Sequence, residues 1–185
     1  LKKKYMATQI TNTSELQAIN TILSIIGEAP VSSITTNIGS DVSIAKQILD
    51  ESSVSIQTKG WNFNTEESYS LVLNSDNKIP VPSNCVWLTT RVEDSTKKVI
   101  IRNGFLYDKE NHTDVFTGSI KVDMIILLPF TELPEFARRY IVTVAGRRFQ
   151  ARYLGSKELA GFSEADELAA LTTCEQLDAA NEKQN

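Results

Sequence analysis

One histidine and two cysteines leave this chain short of the side chains on which most site chemistry is built. The histidine, His112, stands alone in the polar stretch Lys109-Glu110-Asn111-His112-Thr113-Asp114, where a solvated loop side chain is expected. C-x-x-C, H-E-x-x-H and related spacings do not occur, so zinc sites of those types lack their donors. G-x-S-x-G is missing, which removes the strained serine elbow of many hydrolases. Both common glycine-rich phosphate loops, G-x-x-x-x-G-K-[ST] and G-x-G-x-x-G, are missing too. Cys85 and Cys174 lie far apart in sequence. They predict two inert, buried thiols in a reducing compartment rather than a disulfide framework. No run approaches the roughly 18 apolar residues of a membrane-spanning helix. Leu1-Lys2-Lys3-Lys4-Tyr5 precedes Met6, which reads as a natural initiator, and Ala7 to Asn12 is polar. A signal peptide needs an apolar run there, so export is not expected. No catalytic, metal or cofactor site is assigned. Glycan cleavage is the enzymatic alternative, because a glycosidase needs only two well-spaced carboxylates. With 23 acidic residues, pairs such as Glu66/Glu67 and Glu132/Glu135 arise without specificity.

What is present is an ordinary globular composition: 185 residues, 41% hydrophobic, 23% charged, net charge −4. That length supports a self-sufficient core without disulfides or metals. The acidic balance argues against a molecule built as a whole to grip a polyanion.

Apolar periodicity gives the layout. Leu16, Ile19, Ile22, Leu23 and Ile26 share one helical face, with Thr13 or Ser14 as cap and Gly27 and Pro30 as stop. A second helix is predicted from a cap at Asp41 to about Lys59, with Val42, Ile44, Ala45, Ile48, Leu49 and Ile56 inward, Val54 outward and Gly60 at its end. From Trp61 the period falls to two. Tyr69, Leu71 and Leu73 predict a half-buried strand, as does Cys85 to Val92, and Pro80 and Pro82 predict an extended edge. Asn103-Gly104 predicts a tight type I′ hairpin. Ile120, Val122, Met124, Ile126 and Leu128 alternate along a further strand. Helix resumes at Pro134 and runs to about Leu154, ending at Gly155. A last helix begins near Ser163 and carries Leu168, Leu171, Cys174 and Leu177. The fold class is therefore α+β: a bundle of about four helices with an inserted, mainly antiparallel sheet. The expected divisions are a leader at 1–12, a helical bundle from 13–63 and 131–160, an inserted β domain at 64–130, and a C-terminal helix and tail at 161–185.

The third helix is the informative one. Leu133, Phe136, Ala137, Tyr140, Ile141, Val144, Ala151 and Leu154 define its core face, while Val142, Phe149 and Tyr153 form a second apolar strip. A helix apolar on two sides is packed on two sides, so either the sheet domain or another subunit covers that strip. Arg138, Arg139, Arg147, Arg148 and Arg152 crowd five guanidinium groups into fifteen residues. Intrachain ion pairs, salt bridges to a neighbouring subunit and contact with nucleic acid backbone all remain open as their use. These arginines, with Val142, Phe149 and Tyr153, are the interface candidates.

Several segments carry a family resemblance. They are Ala18 to Leu23 with Ile26-Gly27-Glu28-Ala29-Pro30-Val31-Ser32-Ser33; Ala45 to Leu49 with Gln57 to Glu66, including Gly60-Trp61-Asn62-Phe63; Gly104 to Asp108; and Leu133 to Val142 with Ala145, Arg148 to Arg152 and Gly155. In order and spacing the chain resembles the tail tubular protein A family, the head-to-tail adaptors of short-tailed autographivirus-type bacteriophages. The resemblance covers about residues 13 to 160. It implies a non-enzymatic virion protein of the tail or neck, assembled in the host cytoplasm. It further implies a dodecameric ring of copies of the chain below the portal protein, with the tail nozzle (tail tubular protein B) beneath and tail fibres as a further candidate neighbour. Double-stranded DNA would pass transiently through the ring's channel during genome ejection, with no membrane insertion. Within these segments Gly27, Glu28, Pro30, Gly60, Trp61 and Phe63 are expected to build structural junctions, Glu28 by pairing with an arginine of the third helix. The arginines of that helix are expected to face protein rather than a DNA channel, since each neutralised phosphate adds salt-sensitive affinity.

Overall fold

A computed structural model describes residues 11–35, 39–91, 98–154 and 162–182. The first helix, α1 (Glu15–Ser24), starts at Ser14. The Ser14 hydroxyl accepts from the Gln17 amide at 3.2 Å, and the Ser14 amide donates to the Gln17 side chain at 2.8 Å, a reciprocal capping box. The helix stops two residues short of Ile26. Gly27 there adopts φ +79°, and the Glu28 amide donates back to the Leu23 carbonyl, a left-handed helix exit that glycine accommodates best. The Asn20 side-chain amide then clamps Val31, accepting from its N–H at 2.8 Å and donating to its carbonyl at 3.0 Å, which folds the exit segment back onto α1.

The second helix, α2 (Ser40–Gln57), begins one residue before the expected cap. Gly39 occupies the cap position, and Asp41 sits in the first turn, where its charge suits the positive end of the helix dipole. Its last residues tighten into i→i+3 bonds from Lys59 and Gly60, which ends the α geometry at Gln57 rather than Lys59. Val54 points outward as expected, at 46% exposure.

A 3₁₀ turn at Asn62–Asn64 leads into β1 (Thr65–Leu71). The other strands are β2 (Cys85–Thr90), β3 (Val99–Arg102), β4 (Phe105–Asp108) and β5 (Ile120–Ile126). They form an antiparallel three-stranded sheet in the order β1-β5-β2 and an antiparallel hairpin of β3 and β4. Asn103 and Gly104 turn the hairpin with φ of 53° and 78°, the pair of positive values a type I′ turn requires. The segment around Pro80 and Val81 runs as an extended edge beside β4. Ile120, Val122 and Met124 are buried on one face of β5. Bulges interrupt β1 between Glu66 and Tyr69 and β2 between Cys85 and Trp87. Past its bulge Tyr69 lies at the sheet rim and is 44% exposed, so the half-buried pattern expected of that strand begins at Leu71.

The helical region closes with α3 (Glu135–Leu154) and α4 (Glu164–Glu182). Ser163 and Asp166 make a second capping box at the start of α4. The α+β class and the four α-helices among the described residues agree with the sequence pattern. Along α4 the expected stripe is split: Cys174 is buried and Leu171 partly so, but Leu168 and Leu177 are 65% and 45% exposed. Ala151 of the expected α3 core face is exposed as well, beyond the last buried residue, Phe149. The leader to Ile10, Val92, Gly155, the side chains of Tyr153 and Leu154, and the tail from Lys183 fall outside the described residues.

Two cores result. One gathers residues of α1, α2, α3 and α4 around Ile19, Leu49, Ile141 and Phe149. The other lies under the sheet, around Leu71, Ile79, Leu106, Ile120 and Val122. Buried amides join the helices to the sheet. Gln57 holds both the amide and the carbonyl of Leu128, at 2.8 and 3.1 Å, and Asn64 donates to the carbonyls of Gln57 and Ile126. Gly60 has φ +76°, and a Cβ there would lie 2.7 Å from Ile125 Cδ1. The left-handed conformation favours glycine there, and a Cβ would also make the Ile125 side chain move.

Candidate functional site

The aromatic junction follows directly. Trp61 is buried and donates from its indole nitrogen to the Ile56 carbonyl at 2.8 Å. Its ring stacks on Phe63 at 6.1 Å and meets Tyr140 edge-on, while Phe63 meets Phe136 edge-on. The tryptophan thus keeps its polar handle satisfied while its body fills the space between α2 and α3.

The junction also holds a residue that periodicity did not single out. Asp178 of α4 is buried, and its carboxylate accepts from the backbone amides of Asn62 at 2.9 Å and Phe63 at 3.2 Å. Its own carbonyl accepts from the Asn62 side chain. The carboxylate therefore caps the 3₁₀ turn and fastens α4 to it. The available signal was an aspartate four residues after the buried Cys174, on the same helical face.

The interface candidates on α3 divide by environment. Arg138 is buried and donates to three carbonyls, those of Leu133 at 2.7 Å, Thr13 at 2.9 Å and Thr131. Carbonyls, not a carboxylate, satisfy this guanidinium. Arg147 reaches Glu164 and Glu167 and ties down the first turn of α4. Val142 is 7% exposed and Phe149 fully buried, in the same core as Cys174, Ala170 and Leu171. Both are buried within one chain, in a core to which α4, packed along α3, contributes. At Gly146 an added Cβ would fall 2.5 Å from the Phe162 ring, so that glycine lets the start of the α4 segment press close to α3.

Arg139, Arg148 and Arg152 have exposed heads. Arg139 bonds Glu135 at 3.1 Å with 78% of its side chain open to solvent. Arg148 reaches the hydroxyls of Ser52 and Ser55. Glu135 in turn accepts from the amide and hydroxyl of Thr13. Burial alone would push its carboxyl pKa upward. The Thr13 bonds and Arg139 together outweigh that and hold it below the ordinary value. Glu28 is exposed, and the expected pairing with an α3 arginine is not made. Arg138 and Arg147 are already committed to the carbonyls and to α4. Pro30 is exposed beyond the Gly27 exit.

Of the acidic pairs noted in the sequence, Glu67 is engaged by Arg91 and Glu135 by Thr13 and Arg139. His112 is exposed, and no cluster able to hold a metal ion occurs among the described residues. Cys85 is only partly buried, whereas Cys174 is buried as expected. No helix among the described residues is long and apolar enough to cross a membrane.

The two flanks of α4 differ. One borders an open cleft against α1 and α3, floored by Val142, Ala169 and Ala170 and edged by Arg139 and Leu177. Leu168 lies nine residues before Leu177, which at about 100° per residue is half a turn away. It projects from the opposite flank, with the exposed Glu175 nearly in line with it.

Comparison with known proteins accords with the resemblance. The model of a family described as tail tubular protein matches residues 16–184. Tail tubular protein A of Klebsiella phage KP34 is 29% identical over 141 residues, or 76% of this chain and 74% of that protein.

Proposed function

Because the chain belongs to the tail tubular protein family, and is therefore a structural protein of a bacteriophage tail, we propose that it is a head-to-tail adaptor forming a ring between portal and nozzle. In this reading residues 13–63 and 131–160 form the ring-building bundle, closed by α4, and 64–130 an attached β domain. The genome leaves through the channel that the ring encloses, and the arginines of α3 serve protein contacts.

The observation that carries the ring is the asymmetry of α4. A closed ring needs two different, complementary surfaces on each copy. One flank of α4 offers a cleft with Arg139 on its edge, and the other offers the Leu168 side chain beside Glu175. Leu168 of one copy would enter the cleft of the next, with Glu175 facing Arg139. The present Arg139–Glu135 pair is exposed and spans i to i+4, so redirecting it forfeits only about 0.3–0.5 kcal/mol. Arg148 and Arg152 are the other arginine heads available to a neighbour.

The test is electron microscopy of the chain mixed with its portal. Closed rings are expected below the portal for the natural sequence, and incomplete or absent rings for Leu168→Asp. Full ring formation by Leu168→Asp together with Arg139→Glu would overturn this docking. Location of the protein away from the portal in virions would overturn the adaptor role.

A further inference from the structure

A second surface, remote from α4 in the chain, has the form of a ligand site. The β3–β4 hairpin and the loop after it bound a pocket of about 370 Å³ lined by Lys78, Arg102, Asn103, Tyr107, His112 and Asp114. Arg102 lies over the Tyr107 ring, its guanidinium carbon 3.7 Å from the centroid. No carboxylate among the described residues pairs with it. Stacking fixes the plane of the fork and leaves its N–H edge to hydrogen-bond outward. The neighbouring cation differs: Lys78 is consumed by Asp114 at 2.6 Å, and that contact holds the Asp114 carboxyl below its ordinary value.

Both rims are rigid. The Asn103-Gly104 turn is held by the Val81 amide, which donates to the Gly104 carbonyl at 2.9 Å. The loop bearing His112 closes on buried Asp108, whose carboxylate accepts from the amides of Glu110 and Asn111 and from the Asn111 side chain. His112 itself is held at φ +51°. An exposed planar cation stacked on a ring and carried by a hydrogen-bonded hairpin is arranged before any ligand arrives, which lowers the ordering penalty of binding.

We infer that this pocket takes a single carboxylate from an acidic segment of a partner protein, bound by the Arg102 fork. Phosphate fits the site less well. Lys78 and Asp114 cancel one another on the lining, which leaves a single guanidinium charge to balance a monoanion rather than a dianion. Lys78, the natural second contact, is already neutralised. Nucleic acid backbone needs cations in series along successive phosphates, and here one unpaired guanidinium stands on a chain of net charge −4. The inference is independent of the ring reading, because no residue of α3 or α4 takes part.

Nuclear magnetic resonance on the full chain tests it, with acetyl-Gly-Glu-Gly-amide as probe and acetyl-Gly-Gln-Gly-amide, inorganic phosphate and a short DNA duplex as comparisons. The glutamate peptide should shift the Arg102 Nε–H and the Asn103 and Gly104 amides saturably, and the glutamine peptide should not. Arg102→Lys keeps the charge but loses the planar fork, and should weaken binding roughly tenfold with the remaining resonances in place. Equal shifts with the glutamine peptide, unchanged binding by Arg102→Lys, or preference for phosphate or duplex would each overturn the assignment.

Discussion

Replacing Asp178 by alanine isolates one buried carboxylate that joins α4 to the 3₁₀ turn at Asn62–Asn64. The residue is 6% exposed, and its oxygens receive the Asn62 and Phe63 amides at 2.9 and 3.2 Å. Alanine leaves both donors facing α4 without an acceptor. A partly buried donor so stranded costs about 1–2 kcal/mol, giving about 2–4 kcal/mol for the pair. For a chain of this length each kcal/mol lowers Tm by about 2–4 °C, so a fall of roughly 5–15 °C is expected. Calorimetry at pH 7 reads the change, and amide exchange at Asn62 and Phe63 should accelerate with it. Asp178→Asn retains one carbonyl oxygen and should lose about half as much. Glu175→Ala, an exposed acid on the same helix, is the control and should fall within about 0.5 kcal/mol of the natural chain. A Tm for Asp178→Ala within 2 °C of the natural protein, or an equal loss in the control, would refute the claim that this carboxylate fastens α4.

Two further outcomes follow from titratable groups. Glu135 has a folded-state pKa below its ordinary value, so the stability it contributes is present above about pH 4 and is lost as pH falls through the folded value. Asp123 and Asp166 share that sign, while burial gives Asp50 the opposite one. Tm should be flat from about pH 7 to 5 and decline in more acid solution, and Glu135→Gln should flatten part of that decline; an unchanged slope contradicts the role given to the Thr13 contacts. The Cys174 thiol is pushed up to about 12, by burial first and then by Asp178 and Glu175. It should resist a disulfide reagent at pH 8 until denaturant is added, and labelling in the native protein at the rate of a free thiol would show that α4 is not packed as described.

Elements with a strong local signal were legible in the sequence. The capping serines, the Asn103-Gly104 turn, the alternation along β5 and the glycine exits at Gly27 and Gly60 each depend on neighbours a few residues away, and each is found. Long-range polar contacts were not legible. Gln57, Asn64 and Asp178 look like surface residues in a pattern of apolar positions, yet each is buried and satisfied by backbone groups distant in sequence. Arg138 is the same case: periodicity puts Arg147 and Arg148, not Arg138, beside the apolar arc, yet Arg138 is buried and received by the carbonyls of residues 13, 131 and 133. In sequence α3 carries a second apolar strip awaiting the sheet domain or another subunit, and its two described side chains, Val142 and Phe149, are buried within this chain. The part α4 takes in that cover was overlooked because the amphipathic stripe of α4 is weak, with two of its four expected positions exposed.

That internal cover bears on how copies would associate. Once Val142, Phe149 and Arg138 are satisfied within one chain, the apolar surface left on α4 reduces to separate side chains, chiefly Leu168 and Leu177. Fully burying an exposed leucine is worth about 1.5–3 kcal/mol, so the remaining exposure of these two supplies about 2–3 kcal/mol. Bringing two copies together costs at least about 4 kcal/mol in lost translation and rotation. On the proposed reading, a pair held by this docking alone does not persist in solution. A portal that holds several copies side by side converts each later contact into an intramolecular one at high effective concentration. Ring formation should therefore follow portal binding, and the free chain should sediment as a monomer at concentrations where portal-bound rings are complete.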